Sequence, residues 1–292
     1  MQDSWKAFRP LSLTLAIGST TLGIIAAYKM GALELNNLNH LFLVAIITIA
    51  GLLAQSGANL VNDYFEGSFR YYRPSGRKIK FLGVVRTYFD IYVFLWAISC
   101  FGLASLIGLY LVYITDIRML VIGFIGIFIG YGYTGEPFVF KRKGLGVFIS
   151  FIAMGPLMVL GASFTFTNEL SLYPIFLALP VSFLIPALML SNEMRDFQRD
   201  SNLSLGTLSV RIGSKYSTYL YRFLVFGMYV LTAIYVIIGF YPPLTLAVFA
   251  TLPIALKANK SVSTFSKLGI PYTNTLHWNA TLILVVTLLI SK

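Results

Sequence analysis

Two short runs gather oxygen ligands: Asn59-Leu-Val-Asn62-Asp63-Tyr-Phe-Glu66 and Asn192-Glu193-Met-Arg195-Asp196-Phe-Gln-Arg-Asp200. Asn59 and Asp63 are four residues apart, as are Asn192 and Asp196; Glu66 follows Asp63 by three and Asp200 follows Asp196 by four. On a helix each set therefore shares one face. Carboxylate and amide oxygens are hard ligands suited to Mg²⁺, which takes one or two carboxylates and completes its shell with water and phosphate oxygens. Arg and Lys beside them supply the cations that grip phosphate. The chemistry this predicts is capture of a magnesium–diphosphate head, with a lipid-soluble remainder lying among helices. The bland alternative is that each acid is a solvated loop residue pairing loosely with its Arg neighbours. Recurrence of Asn-x-x-x-Asp weakens that alternative and suggests a weak internal repeat, near 59–66 and 192–200.

The elements that must position these runs are membrane helices. The 292-residue chain is 57% hydrophobic and 11% charged, against roughly 25% charged for soluble domains. Apolar windows of spanning length predict helices at 11–28, 41–62, 88–111, 117–134, 146–166, 172–192, 218–240, 243–256 and 275–291. The expected fold is an all-α integral membrane protein, residues 1–292 forming a single polytopic domain of nine transmembrane helices around a central cavity. Both acidic runs then sit at helix C-termini, the second and the sixth, where a carboxylate opposes the helix macrodipole and needs compensation.

Charge sets the orientation. With nine spans, 19 of the 22 Lys and Arg residues fall on one side, leaving Lys29, Arg118 and Lys292 on the other. Basic residues collect in cytoplasmic loops, so we expect a multi-pass protein of the cell membrane with a cytoplasmic N-terminus and the C-terminus opposite. The net charge of +11 follows from topology and anionic lipid, and no nucleic-acid partner is expected. The N-terminal residues show no short apolar core before a small-residue cleavage site, so the first helix is expected to be retained. Cys100 inside an apolar run excludes an internal disulfide and reads as a packing residue. His40 falls on the outer side and His277 near the cytoplasmic start of the last span, so they offer no zinc-ligand pattern and no Ser/His/Asp arrangement.

Three stretches resemble the UbiA-type membrane prenyltransferases, most closely the dihydroxynaphthoate polyprenyltransferases of menaquinone synthesis. Asn59-x-x-Asn62-Asp63-Tyr64-x-Glu66 is similar to that family's first Asp-rich motif. Asn192-x-x-Arg195-Asp196-x-x-x-Asp200, followed by Thr207-Leu-Ser-Val-Arg211-Ile-Gly213, is similar to the second. Tyr133-Thr-Gly-Glu-Pro137 with Gly144-Leu-Gly146 and Gly155-Pro156 resembles the loop after the fourth helix. The resemblance implies a Mg²⁺-dependent transfer of an isoprenyl chain from isoprenyl diphosphate to an aromatic acceptor such as 1,4-dihydroxy-2-naphthoate. It implies Asp63, Asp196 and Asp200 as catalytic acids and, with Glu66, as metal ligands, with Asn59, Asn62 and Asn192 completing the motifs. Arg195 and Arg211 match motif positions that could reach diphosphate, and we add Tyr133, Lys141 and Arg142 as substrate-binding candidates.

The chain departs from the family pattern at four places. Glu66 stands for the usual Asp, Arg70 for another acid, Leu203-Ser-Leu-Gly206 lacks a Lys, and Val147 follows Gly-Leu-Gly where an acid is common. Loss of charge at the polar end keeps open a membrane terpene cyclase, which needs no acceptor, and Arg70 keeps open a member without catalysis. A transporter or lipid-binding protein would carry its acids near mid-span rather than at helix ends. The carbocation formed on ionisation needs an electron-rich cavity, and Tyr64, Tyr71, Tyr72 and Tyr133 lie at a suitable depth. Pro174, Pro180 and Pro186 predict a bent sixth helix.

Overall fold

The structure, a computed structural model, describes residue 7 and residues 9–66, 77–81 and 84–291. Arg70, Tyr71 and Tyr72 lie outside the described residues, as do Lys6, Arg73 and Lys292 among the basic residues used for topology. All nine predicted windows fall on helical structure. Seven helices among the described residues are long and apolar enough to cross a membrane: α1 Pro10–Lys29, α2 Leu38–Phe65, α3 Tyr88–Ile114, α5 Gly146–Thr167, α6 Tyr173–Arg195, α8 Leu208–Ile237 and α10 Gly269–Ile290. The other two windows differ. The fourth, α4 Arg118–Gly132, has 15 residues. The eighth begins as a 3-10 helix, Pro243–Thr251, before α9 Leu252–Ser263, because the flanking prolines withhold backbone donors. A short α7, Phe197–Asn202, follows α6.

Local chemistry sets the helix ends. Pro10 occupies the first turn of α1, where its missing N–H costs nothing. The Asn37 side chain accepts from the Asn39 N–H at 3.0 Å to start α2. Thr87 and Asp90 form a reciprocal capping box at α3, with Thr87 N–H to Asp90 Oδ2 at 3.0 Å and Asp90 N–H to Thr87 Oγ1 at 3.2 Å. Between α2 and α3 lies an antiparallel hairpin, Lys78–Phe81 with Val84–Thr87, in the register Lys78 to Thr87 and Phe81 to Val84. The all-α expectation did not include it; four-residue strands beside a basic loop leave no helical or spanning periodicity to read.

Two spans are broken at prolines, as the sequence predicted for the sixth. In α6 the helix is interrupted at Phe183, which donates to Pro180 O at 3.3 Å. Pro186 withholds the donor that Ser182 O would receive from it in an unbroken helix. In α5 a π-turn over Ala153–Leu157 surrounds Pro156.

Buried apolar side chains form one large cluster across α1, α5, α6, α8, α9 and α10, including Leu184, Leu190, Tyr221, Met228 and Leu276. A second joins α2 and α3 through Leu60, Val61, Val93 and Phe101, with Cys100 half-buried against it. Val147, where an acid is common in the family, is 4% exposed within the first cluster, so its apolar side chain belongs to packing. The outward faces stay apolar, with Tyr113, Phe124 and Ile237 among many exposed large side chains, as lipid-facing surfaces require. Helices α1 and α10 run side by side in the same direction. Thr14 donates to Asn274 Oδ1 at 3.0 Å at one end, and Lys29 donates to Ser291 O at the other.

Candidate active site

A helix of 28 residues is about 42 Å long at 1.5 Å per residue, well beyond a hydrocarbon core of about 30 Å. The helix is thus longer than the apolar layer, and Asn59, Asn62 and Asp63 lie in its last two turns with Glu66 as its C-cap. Helix α6 ends at Arg195, with Asp196 between it and α7. Both ends open on one cavity of about 670 Å³, bounded by α1 to α7, α10 and the loop after α4. Its polar end holds Asn59, Asn62, Asp63, Glu66, Tyr133, Lys141, Asn192, Arg195, Asp196 and Asp200; its deep end is apolar, formed by Ala50, Gly51, Gly108, Gly123, Met158 and their neighbours.

The acids are not solvated loop residues. Asp63 is 6% exposed and Asp200 1%. Arg195 clasps Asp196 through two bonds, Nε to Oδ1 at 2.7 Å and Nη2 to Oδ2 at 2.6 Å. Arg199 bridges the pair, its Nη2 lying 3.1 Å from Asp196 Oδ2 and 2.7 Å from Asp200 Oδ1. Lys141 Nζ donates to both Glu66 oxygens, at 2.7 and 2.8 Å. These cations supply the compensation that carboxylates at helix C-termini require.

Environment separates the acids. Burial pushes Asp196 up, but the Arg195 bonds and charge, with Arg199 and Lys141, outweigh it and hold the carboxyl below its usual range. At Asp200 burial wins over Arg199 and Lys141, and the carboxyl is held above it. At Glu66 burial is again opposed, by the Lys141 charge and bonds and by Arg9 and Arg142, and the carboxyl lies low.

The amides form a chain: Gln55 Nε2 donates to Asn59 Oδ1 at 3.3 Å, Asn59 Nδ2 to Ser12 Oγ at 2.8 Å, and Arg9 to Asn62 Oδ1. Asn192 Nδ2 is turned back onto Leu188 O at 3.0 Å. Lys141 reaches the cavity because its N–H binds Tyr133 O at 2.9 Å, folding the loop back over α4. Gly144, at φ 79°, permits the next reversal.

Two predicted residues are not brought to the cavity. Arg211 Nε donates to Gly206 O at 2.8 Å. Its side chain lies so close to Gly144 that a Cβ there would be 2.6 Å from Arg211 Cδ. It braces two loops, a contact between segments distant in sequence that the motif alone does not reveal. Arg142 does not line the cavity either; its carbonyl faces Gly206. The aromatic expectation changes too. Tyr64 packs against Phe65 and Phe94 with the Arg86 guanidinium 5.0 Å from its ring. Among described residues Tyr133 is the one aromatic side chain lining the cavity, where Met119, Met154, Met158 and Met189 also stand.

Three charged lining residues carry no site assignment from the sequence. Arg9 and Arg199 read in the sequence as basic residues of the cytoplasmic side, although the i+3 spacing of Arg199 from Asp196 is a usable signal. Glu193 sits inside the second run but at an unassigned position. It is 2% exposed, and its Oε2 receives the Ser209 N–H at 2.9 Å and hydroxyl at 3.0 Å.

Among the described residues no three acidic, His or Cys side chains converge as a ready metal cage. The donor set still fits Mg²⁺, which uses one or two carboxylates together with phosphate and water oxygens rather than an all-protein cage; each helix end offers two carboxylates on one cavity wall.

Residues 16–264 match the model of the UbiA prenyltransferase family. The chain is 28% identical over 266 residues to a 1,4-dihydroxy-2-naphthoate octaprenyltransferase of Bacillus subtilis, covering 89% of this chain and 81% of that one. It is 27% identical to the human UbiA prenyltransferase domain-containing protein 1, covering 80% and 70%. Its fold is similar to that of an apo UbiA homolog from Aeropyrum pernix K1, with TM-score 0.69, 12% identity and coverage of 95% and 97%. It is also similar to a UbiA homolog from Archaeoglobus fulgidus bound to DMAPP and Mg²⁺, with TM-score 0.60, 14% identity and coverage of 97% and 99%. Acid-ended helices around one half-polar, half-apolar cavity thus accompany a family match over most of the chain, and the protein belongs to the UbiA prenyltransferases.

Proposed function

We propose that this prenyltransferase moves an isoprenyl chain from an isoprenyl diphosphate to an aromatic quinone precursor such as 1,4-dihydroxy-2-naphthoate, with Mg²⁺ at the acid-bearing helix ends. The observation that carries the reading is the polarity of the cavity: buried acids and four cations, Arg9, Lys141, Arg195 and Arg199, at one end, small and apolar side chains at the other. A diphosphate ester of a long hydrocarbon has that same division. Asp63 with Glu66, and Asp196 with Asp200, would hold the metal, whose charge draws electrons from the breaking carbon–oxygen bond. Arg195, Arg199 and Lys141 would exchange carboxylate for phosphate oxygens, offering charge where the leaving group gathers it. Asn59, Asn62 and Asn192 would orient the head, and Tyr133 with the lining methionines would face the allylic carbon. The acceptor ring then bonds that carbon and sheds a proton.

The donor homologues support this assignment, since the Archaeoglobus fulgidus homolog is described with DMAPP and Mg²⁺ and the Bacillus relative as an octaprenyltransferase. We further read nine spans in a single polytopic domain of the cell membrane, with α4 and the Pro243–Ser263 segment also crossing, the N-terminus cytoplasmic and the C-terminus opposite. The loop-by-loop alternation of Lys and Arg supports that reading.

The test is purified protein with Mg²⁺ and isoprenyl diphosphates of several lengths, with and without 1,4-dihydroxy-2-naphthoate, followed for diphosphate release and lipid product. Metal-dependent formation of a prenylated ring is expected. No metal-dependent release with any donor refutes the reading, and an acceptor-independent cyclic hydrocarbon replaces it with a cyclase.

A further inference from the structure

Glu193 is the one acid of the second run that the proposed chemistry at the diphosphate end does not use. Its Oε2 is saturated by the Ser209 N–H and hydroxyl, delivered by the first turn of α8. Its other oxygen, Oε1, has no hydrogen-bond partner among the described residues, although the side chain is 2% exposed and forms part of the cavity wall. A buried carboxylate oxygen left without a donor is costly, and native structures rarely tolerate one without a purpose. Ser209 fixes the side chain from behind, so Oε1 cannot swing away to find a partner elsewhere.

Its depth is informative. Glu193 precedes Asp196 by three residues, which places it about 4.5 Å further down the helix axis. One turn deeper on the same face the wall includes Met189, and the Tyr133 hydroxyl, also in the wall, lies 3.7 Å from Met189 Sδ. Sulfur and aromatic surfaces suit a flat ring. The position is thus just below the diphosphate end and beside surfaces that accept an aromatic molecule.

We propose that Glu193 recognises the acceptor: Oε1 receives a hydrogen bond from a ring hydroxyl, so the acceptor class is a phenol, naphthol or hydroquinone that presents a free O–H. This rests on the prenyl-transfer reading above. A carboxylate or ether oxygen aimed at Oε1 would meet another acceptor, and a site built to bond a hydroxyl rejects an analogue lacking it because its own polar group stays unpaired.

The experiment uses the full-length protein in detergent with Mg²⁺, an isoprenyl diphosphate, and a panel of hydroxylated naphthalenes and benzenes, each paired with its O-methyl ethers. For wild type, methylating the hydroxyl that meets Glu193 is expected to raise KM for the acceptor about 10- to 100-fold, the range of one hydrogen bond to a charged group. In Glu193→Gln the amide oxygen can keep the Ser209 donors and an N–H then stands where Oε1 was, so the preference for hydroxyl over ether is expected to fall to about one. A simple loss of folding lowers transfer to both members of each pair and leaves the ratio of their KM values in the folded fraction unchanged. Equal wild-type KM values for hydroxyl and ether acceptors overturn the proposal without any variant, which covers the case in which Glu193→Gln does not fold. Glu193→Gln retaining the wild-type preference also overturns it, while transfer itself stands. Absence of metal-dependent diphosphate release by wild type is a different failure, that of the prenyl-transfer reading, and removes the basis of this one.

Discussion

Replacing Lys141 by Met tests how the two acid-bearing helix ends are held in one cavity. The side chains of Lys141 and Glu66 are 14% and 13% exposed and joined by two bonds. Removing one partner of so buried a pair strands a charge and costs about 3–5 kcal/mol. Arg9 and Arg142 still act on Glu66, so we expect the lower end, about 3 kcal/mol. Glu66→Gln should cost less, because Lys141 also lies in the field of Asp196 and Asp200. The double variant strands no carboxylate, so a coupling energy of about 2 kcal/mol is expected from the cycle. The assay is equilibrium unfolding in mixed micelles with chelator present, so that no metal competes for Glu66. Its pH dependence adds a sign. In wild type the Glu66 value lies below its ordinary 4.5, so the pair's stability is complete above pH 4.5 and is lost as pH falls through the lowered value. In Lys141→Met the strongest opposing group is gone, burial outweighs Arg9 and Arg142, and the value rises. Stability is then complete below pH 4.5 and lost as pH climbs through the raised value. A coupling energy below about 0.5 kcal/mol, the limit for independent sites, or the same acid slope in both proteins, refutes this account.

Asp63→Asn and Asp196→Asn should each lower metal-dependent diphosphate release about 100-fold or more, as loss of a metal's several kcal/mol implies, measured at saturating donor. Gly123 lines the deep cavity and a Cβ there meets nothing within 4 Å. Gly123→Leu should therefore gain up to about 0.8 kcal/mol of helix propensity while raising KM for the longest isoprenyl diphosphates more than for short ones in a chain-length series. Gly144→Ala, at φ 79° and against Arg211, should destabilise by more than about 1 kcal/mol, and Arg211→Ala should lower the thermal midpoint while moving donor KM less than Lys141→Met does.

The membrane class and the positions of the helices were legible because lipid demands long uncharged runs, and both acidic motifs were legible because helical spacing aligns their oxygens on one face. Length was harder to read. Windows 117–134 and 243–256 are apolar, yet apolarity does not reveal that a helix stops at Gly132 or tightens into 3-10 geometry after Pro243. Side-chain destinations were harder still. Arg195 and Arg211 look alike in sequence, but one clasps Asp196 while the other spans to Gly206, a choice made by tertiary contacts between loops. Lys141 and Arg142 are neighbours in one basic turn, and the bond from Lys141 N–H to Tyr133 O aims only the first into the cavity. Glu193 was hidden because its partner, Ser209, lies sixteen residues onward in another helix.

The parallel seam between α1 and α10 has a consequence for biogenesis. These helices meet at both ends, yet some 240 residues separate Lys29 from Gly269. At synthesis rates of about 5–20 residues per second, α1 waits roughly 12–48 s in the bilayer before its partner emerges. Throughout that interval the surface of α1 that later receives His277 and Thr281 at Gly18 faces lipid or a chaperone. Closure of the cavity wall is then the final event of assembly, and a chain halted before α10 would be inserted but unable to keep its reaction chamber sealed.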